Sequence, residues 1–220
     1  MTRPLRAAVF ASGGGTNLQA LLDHATVDAA WQVGLVLSNR PDAGALARAE
    51  RAGVPSTVVV HEPDGDPVEA RMLAVLDEHE IDFVLLAGYL KLVPAGVVMR
   101  YRGRVVNIHP ALLPSFGGKG MYGMNVHRAV LDAGVRVTGP TVHLADEVYD
   151  RGRILAQWPV PVRWGDTAEA VAARVLEVEH WLYPRVVDHL VLLWREGRDV
   201  EPVDLAGDAF RPDRAAASDS

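Results

Sequence analysis

An α/β fold is what this sequence predicts: an open, mostly parallel twisted sheet with helices on both faces and an added antiparallel element in its C-terminal part. Three observations predict it. Short apolar runs alternate with helix-spaced patterns through the first half, the signature of right-handed βαβ units. Phe83 to Ala87 is apolar throughout, as a strand covered on both faces must be. Beyond His109 the rhythm breaks, and extended segments replace the strand–helix alternation.

The elements follow in order. Leu5 to Ala11 reads as a buried strand, closed by the turn Ser12-Gly13-Gly14-Gly15. Leu18, Leu21, Leu22 and Ala25 then recur at the spacing of one helix face. Val33 to Leu37 is a second strand, and Ala43 to Ala52 a helix that Gly53 stops. Thr57 to Val60 is a third strand; Val68, Met72, Val75 and Leu76 mark a third helix. After the strand at Phe83, a helix opens on Pro94, which a first turn tolerates, and Arg104 to Ile108 is a fifth strand. His109 to Met124 is a long loop rich in proline and glycine, a kind that often carries function. Val126 to Ala133 is helical, while Val137 to Val148 and Ile154 to Val162 are extended. The closing helix starts near Asp166-Thr167, with Glu169 in an approximate capping box, and Pro184 is expected to kink or break it before Arg195. Residues 1–200 read as one domain, with a phosphate-binding βα half (1–105) and a catalytic half (106–200); 201–220 read as a polar, partly disordered tail.

Composition removes several function classes. The chain has 220 residues, 49% of them apolar and 23% charged, which are ordinary globular values. It contains no cysteine, so disulfides, thiolate metal sites and cysteine nucleophiles are excluded. A formal net charge of −6 argues against a nucleic-acid partner. No apolar run approaches the ~18 residues of a membrane span, so no membrane partner is expected. Arg3 and Arg6 precede too short an apolar stretch for a signal peptide, which points to the cytoplasm. The histidines show no metal-ligand spacing, and no metal is expected.

Four places carry chemistry. Gly13, Gly14, Gly15, Thr16 and Asn17 join a strand to a helix, where free N–H groups and the helix dipole favour an anion, most naturally phosphate. The turn has neither a Walker ending nor a full dinucleotide fingerprint, and a bare βα turn is the alternative. At the fifth strand's end, alternation puts Asn107 and His109 on one side, an amide donor beside an imidazole. That pair suits carbonyl polarisation with proton transfer, although a lone strand-end histidine is also a common structural residue. Asp146, Glu147 and Asp150 lie in an acidic turn; a carboxylate there that reached His109 would favour its protonated form, and a solvated turn is the other reading. His143 and Glu179-His180 stand equally between the same cleft and ordinary structural duty.

Taken together, these stretches resemble the phosphoribosylglycinamide formyltransferases, folate-dependent enzymes of purine synthesis. Ala11-Ser12-Gly13-Gly14-Gly15-Thr16-Asn17-Leu18, Leu86-Ala87-Gly88-Tyr89-Leu90-Lys91-Leu92-Val93 and Asn107-Ile108-His109-Pro110-Ala111-Leu112-Leu113-Pro114 carry the resemblance. Thr141-Val142-His143, Asp146-Glu147, Asp150 to Ile154 and Glu179-His180 extend it, in order, over about residues 5–196. The resemblance implies a formyltransferase-type Rossmann-like fold, with 10-formyltetrahydrofolate as co-substrate and 5-phosphoribosylglycinamide as acceptor. It makes His109 the general acid/base, Asn107 the group that polarises the formyl oxygen, and Asp150 the carboxylate that tunes His109. Gly15, Thr16 and Asn17 would hold the phosphoribosyl end, and Glu179 its ribose. Leu90, Lys91, Leu92 and Val93 would line the folate pocket, and the turn Ala145 to Gly152, with Asp146 and Glu147, would close its other side. The resemblance also implies a cis Leu113-Pro114 bond and a monomer or homodimer. Two departures stand out: Asp64-Gly65-Asp66 falls where some members have a basic residue near the folate tail, and the loop Gly117 to Gly123, with Lys119, is longer than in some. Two alternatives stay open. One is another formyl-transferring or formyl-hydrolysing enzyme of the same fold; the other is a non-catalytic phosphosugar-binding module, which would have no use for Asn107, His109 and Asp150 together.

Overall fold

The computed structural model describes residues 3–25, 30–60 and 68–203. At its centre lies β1 (Leu5–Phe10), whose Ala7, Ala8, Val9 and Phe10 are fully buried. It is flanked in parallel by β2 (Trp31–Ser38) and β4 (Phe83–Leu86). β3 (Ser56–Val58) adds to β2, and β5 (Val105–His109) to β4, again in parallel. Beyond β5 the pairing turns antiparallel, with β7 (Thr141–Leu144) and then β8 (Ile154–Gln157), giving the seven-stranded order β3-β2-β1-β4-β5-β7-β8. The chain leaves β1 towards one edge and returns to build the other. That reversal between β1 and β4 is where open α/β sheets bind ligands, outside the carboxyl ends of the strands.

Alternation along β1 assigns the two faces. Ala7 and Val9 pack with α1 (Thr16–His24), α2 (Gly44–Arg51) and α6 (Ala168–Arg195), through Leu18, Leu21, Ala45, Ala49, Leu182 and Leu190. Ala8 and Phe10 pack with α3 (Val68–Glu78) and α4 (Ala95–Arg100), through Met72, Leu76 and Val97. The stop at Gly53 is a paired-bond cap: with φ +67 its N–H donates to the Glu50 carbonyl at 3.0 Å, and Val54 N–H to Ala49 at 2.9 Å.

Three expectations need correction. Pro94 stands outside α4 as its cap, with an extended ψ of 143, rather than inside the first turn. The two long extended segments are each broken, at Gly139-Pro140 and at Trp158-Pro159. Their outer pieces, β6 (Val137–Thr138) and β9 (Val160–Pro161), form a separate antiparallel ribbon. Prolines cannot donate to a ladder, and a Cβ on Gly139 (φ +138) would lie 1.8 Å from the Trp158 carbonyl oxygen, so the two breaks pack into one crossing. Helix α6 runs 28 residues through Pro184 without the break that is the stronger form of the expectation. A mid-helix proline costs ~3 kcal/mol. Leu182, Val186, Val187 and Leu190 are all fully buried around it, and each such burial stabilises by roughly 1.5–3 kcal/mol, so packing wins. At the start of the tail Val203 is buried and its N–H donates to Leu155 at 2.8 Å; residues 204–220, which hold the rest of that expectation, lie outside the described residues.

Helix α6 ties the sheet together. The Tyr183 hydroxyl is shared between the carbonyls of Val106 (2.9 Å) and Leu86 (3.2 Å) on adjacent strands. Asp188 accepts from Trp31 Nε1 at 2.7 Å and from His24 Nε2 at 2.6 Å, and Arg195 donates to the Ala30 carbonyl at 2.8 Å. Thr167 caps the helix, its hydroxyl accepting from Ala170 N–H at 3.2 Å. Among the described residues no helix is long and apolar enough to cross a membrane.

Candidate active site

A cleft of about 460 Å³ opens at the carboxyl ends of β1, β4 and β5. Its walls come from Gly13–Asn17, Leu86–Val93, Asn107–Pro110, Met121–Met124, the turn at Ala145–Asp150 and one side of α6.

At one end stands the glycine turn. Gly15 caps α1 in the left-handed region, φ +73, and a Cβ there would meet Ala45 Cα at 2.8 Å. The position therefore demands glycine on two counts. Gly13 and Gly14 have open space at the Cβ position and no such demand. Their carbonyls turn towards α2, accepting from Ala45 N–H at 3.0 Å and Arg48 Nε at 2.7 Å. The first N–H groups of α1 have no intrahelical acceptor, so the turn presents donors to the cleft. Asn17 Nδ2 donates to Glu179 Oε2 at 2.7 Å. Burial pushes the Glu179 carboxyl up to about 7, with the Asn17 bond opposing the shift.

At the other end is a corner built from side chains. Antiparallel register sets His143 of β7 directly opposite Asn107 of β5, and Thr141 opposite His109. His143 Nδ1 donates to the Leu144 carbonyl at 2.8 Å, which leaves Nε2 to accept from Asn107 Nδ2 at 2.9 Å. That bond uses one of the two Asn107 amide hydrogens and leaves the other for a ligand. His109 is buried and its Nε2 donates to the Phe116 carbonyl at 2.8 Å. Its Nδ1 lies 3.7 Å from Asp150 Oδ1, which is also 3.6 Å from His143 Nε2. Asp150 Oδ2 accepts from Gly118 N–H at 2.8 Å.

The geometry at His109 has a charge consequence. With Nε2–H bonded to a carbonyl, the neutral ring turns the Nδ1 lone pair to a carboxylate, and the pair attracts only once Nδ1 is protonated. Burial lowers the His109 pKa, Asp150 opposes that shift, and burial prevails. The expectation that Asp150 raises the imidazole is right in sign but is outweighed in the net effect. Burial pushes the Asp150 carboxyl up, but the His143 ring, the His109 charge and the Gly118 amide together bring it below its ordinary value. Two non-glycine residues here, Phe116 (φ 56) and Asp150 (φ 55), occupy the left-handed region. The Leu113-Pro114 bond is cis.

The structure thus brings together Gly13 to Asn17, Glu179, Asn107, His109, Asp150, Asp146 and Leu90 to Val93 around one cleft. It does not bring in Glu147 or Lys119, which are exposed and outside the wall, and Asp64-Gly65-Asp66 lies outside the described residues. Sequence reasoning missed the Phe116 carbonyl and the Gly118 amide, backbone groups without any residue signature. It also missed His127 of α5 (Met124–Asp132), a buried residue of the wall. His143 had its signal in the alternation of Thr141-Val142-His143.

Fold and cleft define a class: an α/β protein whose one cleft joins a glycine turn at a helix N-terminus to a buried corner of Asn107, His109 and Asp150. The chain belongs to the formyl transferase family, whose model matches residues 5–187. It is 44% identical over 201 residues to a chloroplastic phosphoribosylglycinamide formyltransferase of Arabidopsis thaliana, covering 88% of this chain and 69% of that one. It is 41% identical over 182 residues to the human trifunctional purine biosynthetic protein adenosine-3, covering 81% of this chain but 18% of that protein. The matched stretch spans 64% of the related Vigna unguiculata enzyme. Among solved structures, glycinamide ribonucleotide transformylase 1 of Geobacillus kaustophilus superposes with a TM-score of 0.79 at 41% identity, covering 86% of this chain and 100% of that one. A formyltetrahydrofolate deformylase of Pseudomonas syringae superposes at 0.77 with 26% identity, covering 87% of this chain and 62% of that one.

Proposed function

We propose that the protein transfers the formyl group of 10-formyltetrahydrofolate to the amine of 5-phosphoribosylglycinamide. One observation carries the reading: a single cleft holds an anion turn at one end and the Asn107–His109–Asp150 corner at the other, with the Leu90–Val93 wall beside them. The phosphate sits on Gly15, Thr16 and Asn17, with Gly13 and Gly14 shaping the turn, and Glu179 faces the ribose. Leu90, Lys91, Leu92 and Val93 line the folate pocket, and Asp146 closes its far side. Anchoring the distant phosphate aligns the amine with the formyl carbon, so remote binding energy lowers the barrier.

The amine nitrogen attacks the formyl carbon, and the new C–N bond forms as the carbonyl π pair moves to oxygen. The free Asn107 amide hydrogen stabilises that oxyanion. Collapse breaks the bond to folate N10. The attacking nitrogen gives up a proton and N10 gains one, with His109 as acid and base through water and Asp150 stabilising its imidazolium. These steps use the residues present and need no metal.

Kinship in fold to a deformylase supports a second reading, hydrolysis of the formyl group by water. Incubation of the protein with 10-formyltetrahydrofolate, with and without 5-phosphoribosylglycinamide, separates the two. Tetrahydrofolate and formylated ribonucleotide should appear in equal amounts, and only with the acceptor present. Release of formate at the same rate without acceptor would establish hydrolysis instead, and no folate turnover in either mixture would leave only a binding module.

A further inference from the structure

Ser12 opens the glycine turn, and by position in the sequence it looks like one more ligand for the phosphate. Its surroundings say otherwise. The side chain is buried, 2% exposed, and forms no part of the cleft wall. Its hydroxyl proton is committed: Oγ accepts from Leu90 N–H at 2.8 Å and donates to Asn39 Oδ1 at 2.5 Å, leaving no donor for a phosphate. A hydroxyl has one proton, and Leu90 N–H can only donate, so that proton must go to Asn39. The Ser12 N–H is also committed, donating to the Gly88 carbonyl at 3.1 Å. Both bonds thus run from the end of β1 into the segment after β4. Gly88 turns that segment with φ +75, and Leu90 and Leu92 lie in it two-fifths exposed at 41% and 40%. The segment is neither strand nor helix from Ala87 to Pro94: buried Tyr89, against the Phe10 ring, and Val93 hold its apolar side, and Ser12 holds the Leu90 N–H.

We infer that Ser12, oriented by Asn39, is a positioning residue for the folate wall at Leu90–Val93 and not a ligand of the phosphate. The inference rests on the folate reading of that wall. It assigns the first residue of an apparent phosphate motif to the other substrate, and it makes Asn39, at the end of β2, a remote determinant of folate affinity.

Isothermal titration with tetrahydrofolate, and separately with 5-phosphoribosylglycinamide, tests it on the full chain. Ser12→Ala leaves Leu90 N–H without its acceptor, a loss that corresponds to about five- to tenfold in affinity. Tetrahydrofolate should therefore bind about five- to tenfold more weakly, with 5-phosphoribosylglycinamide unchanged within about twofold. Asn39→Leu should shift folate binding in the same direction, and Asn39→Asp, which keeps an acceptor for the hydroxyl, should restore it. The Asn39 pair decides the matter if Ser12→Ala fails to fold. An equal or larger loss for 5-phosphoribosylglycinamide would make Ser12 part of the phosphate site and overturn the inference. Unchanged folate affinity in both Ser12→Ala and Asn39→Leu would overturn it while leaving the proposed function standing. A wild-type protein that binds no tetrahydrofolate would overturn both.

Discussion

The two ends of the cleft are made from different materials. The anion end comes from five consecutive residues, Gly13 to Asn17, and offers backbone N–H groups whose direction depends on one left-handed glycine and one helix start. The catalytic end draws side chains from β5, β7 and the acidic turn, and backbone groups from the loop at Phe116 and Gly118. A site of backbone donors tolerates most side-chain changes and fails when a dihedral is lost. A site of converging side chains fails one functional group at a time, with the fold intact. Variants at the two ends should therefore differ in kind as well as in size.

The largest effect belongs to the catalytic end. Asn107→Ala removes the proposed oxyanion donor and should lower kcat by about 10²–10³ with the thermal midpoint little changed. A variant keeping half the wild-type kcat would remove Asn107 from the chemistry.

Asp150→Asn comes next. With the carboxylate gone, only the Phe116 carbonyl still opposes burial at His109, so the imidazole should titrate at lower pH than in the wild type. Less imidazolium then remains at neutral pH, and transfer should slow by about 10–10², with the decline on the alkaline side setting in at lower pH. Tetrahydrofolate should still bind. NMR titration of His109 beside pH–rate profiles gives the answer, and an unmoved titration would return Asp150 to an ordinary turn.

At the anion end the contrast lies within the turn. Gly15→Ala must hold φ +73 and press on Ala45, and should raise the KM for 5-phosphoribosylglycinamide about tenfold. Gly14→Ala has room for its methyl and should stay within about twofold. Similar losses from both would mean that side-chain volume, not the dihedral, governs the turn.

The smallest effect is on stability. Burial raises the Glu179 carboxyl to about 7 from its ordinary 4.5. Below both values the folded and unfolded chains are equally protonated and there is no cost. As pH rises, the unfolded chain ionises first, so folding loses stability up to about 7 and stays at that deficit above it. Glu179→Gln should thus gain roughly 1–3 kcal/mol at about pH 8 and almost nothing near pH 4.5, read from urea midpoints. A gain independent of pH would assign the effect to packing.

The same division explains what was legible in the sequence. Contiguous features were open to reading: the strand–turn–helix around Gly15, the cap at Gly53, and Asn107 and His109 on one side of a strand. Each rests on a local period or a single residue's backbone freedom. The contact of Asp150 with His109 crosses 41 positions and depends on how β7 and the acidic turn fold back, which no local pattern encodes. The role of Phe116 is carried by its carbonyl, so its side chain announces nothing. The breaks at Gly139-Pro140 and Trp158-Pro159 did have a signal, since glycine and proline interrupt strands, but the apolar content around them hid it. At Pro184 the local rule lost to burial, because the residues on either side of the ring have nowhere better to go.

Helix α6 also sets the order in which the molecule can be completed. At 28 residues it is about 42 Å long and runs from the cleft, where it supplies Glu179, past Tyr183 on β4 and β5, to Asp188 on Trp31 and Arg195 on Ala30. Strands made early on the ribosome therefore wait for a helix made late before the face they share with α1 and α2 is fully covered. Contacts spanning more than 150 residues must close across a mostly assembled chain, as with Trp31 and Asp188 at a separation of 157. Until then Ala7, Val9 and Val36 are covered by α1 and α2 alone, and the apolar surface left for α6 can meet chaperones or neighbouring nascent chains first. The helix that completes the cleft is made after every strand it joins, so a chain synthesised only that far has the glycine turn and the Asn107–His109 strand but no complete site.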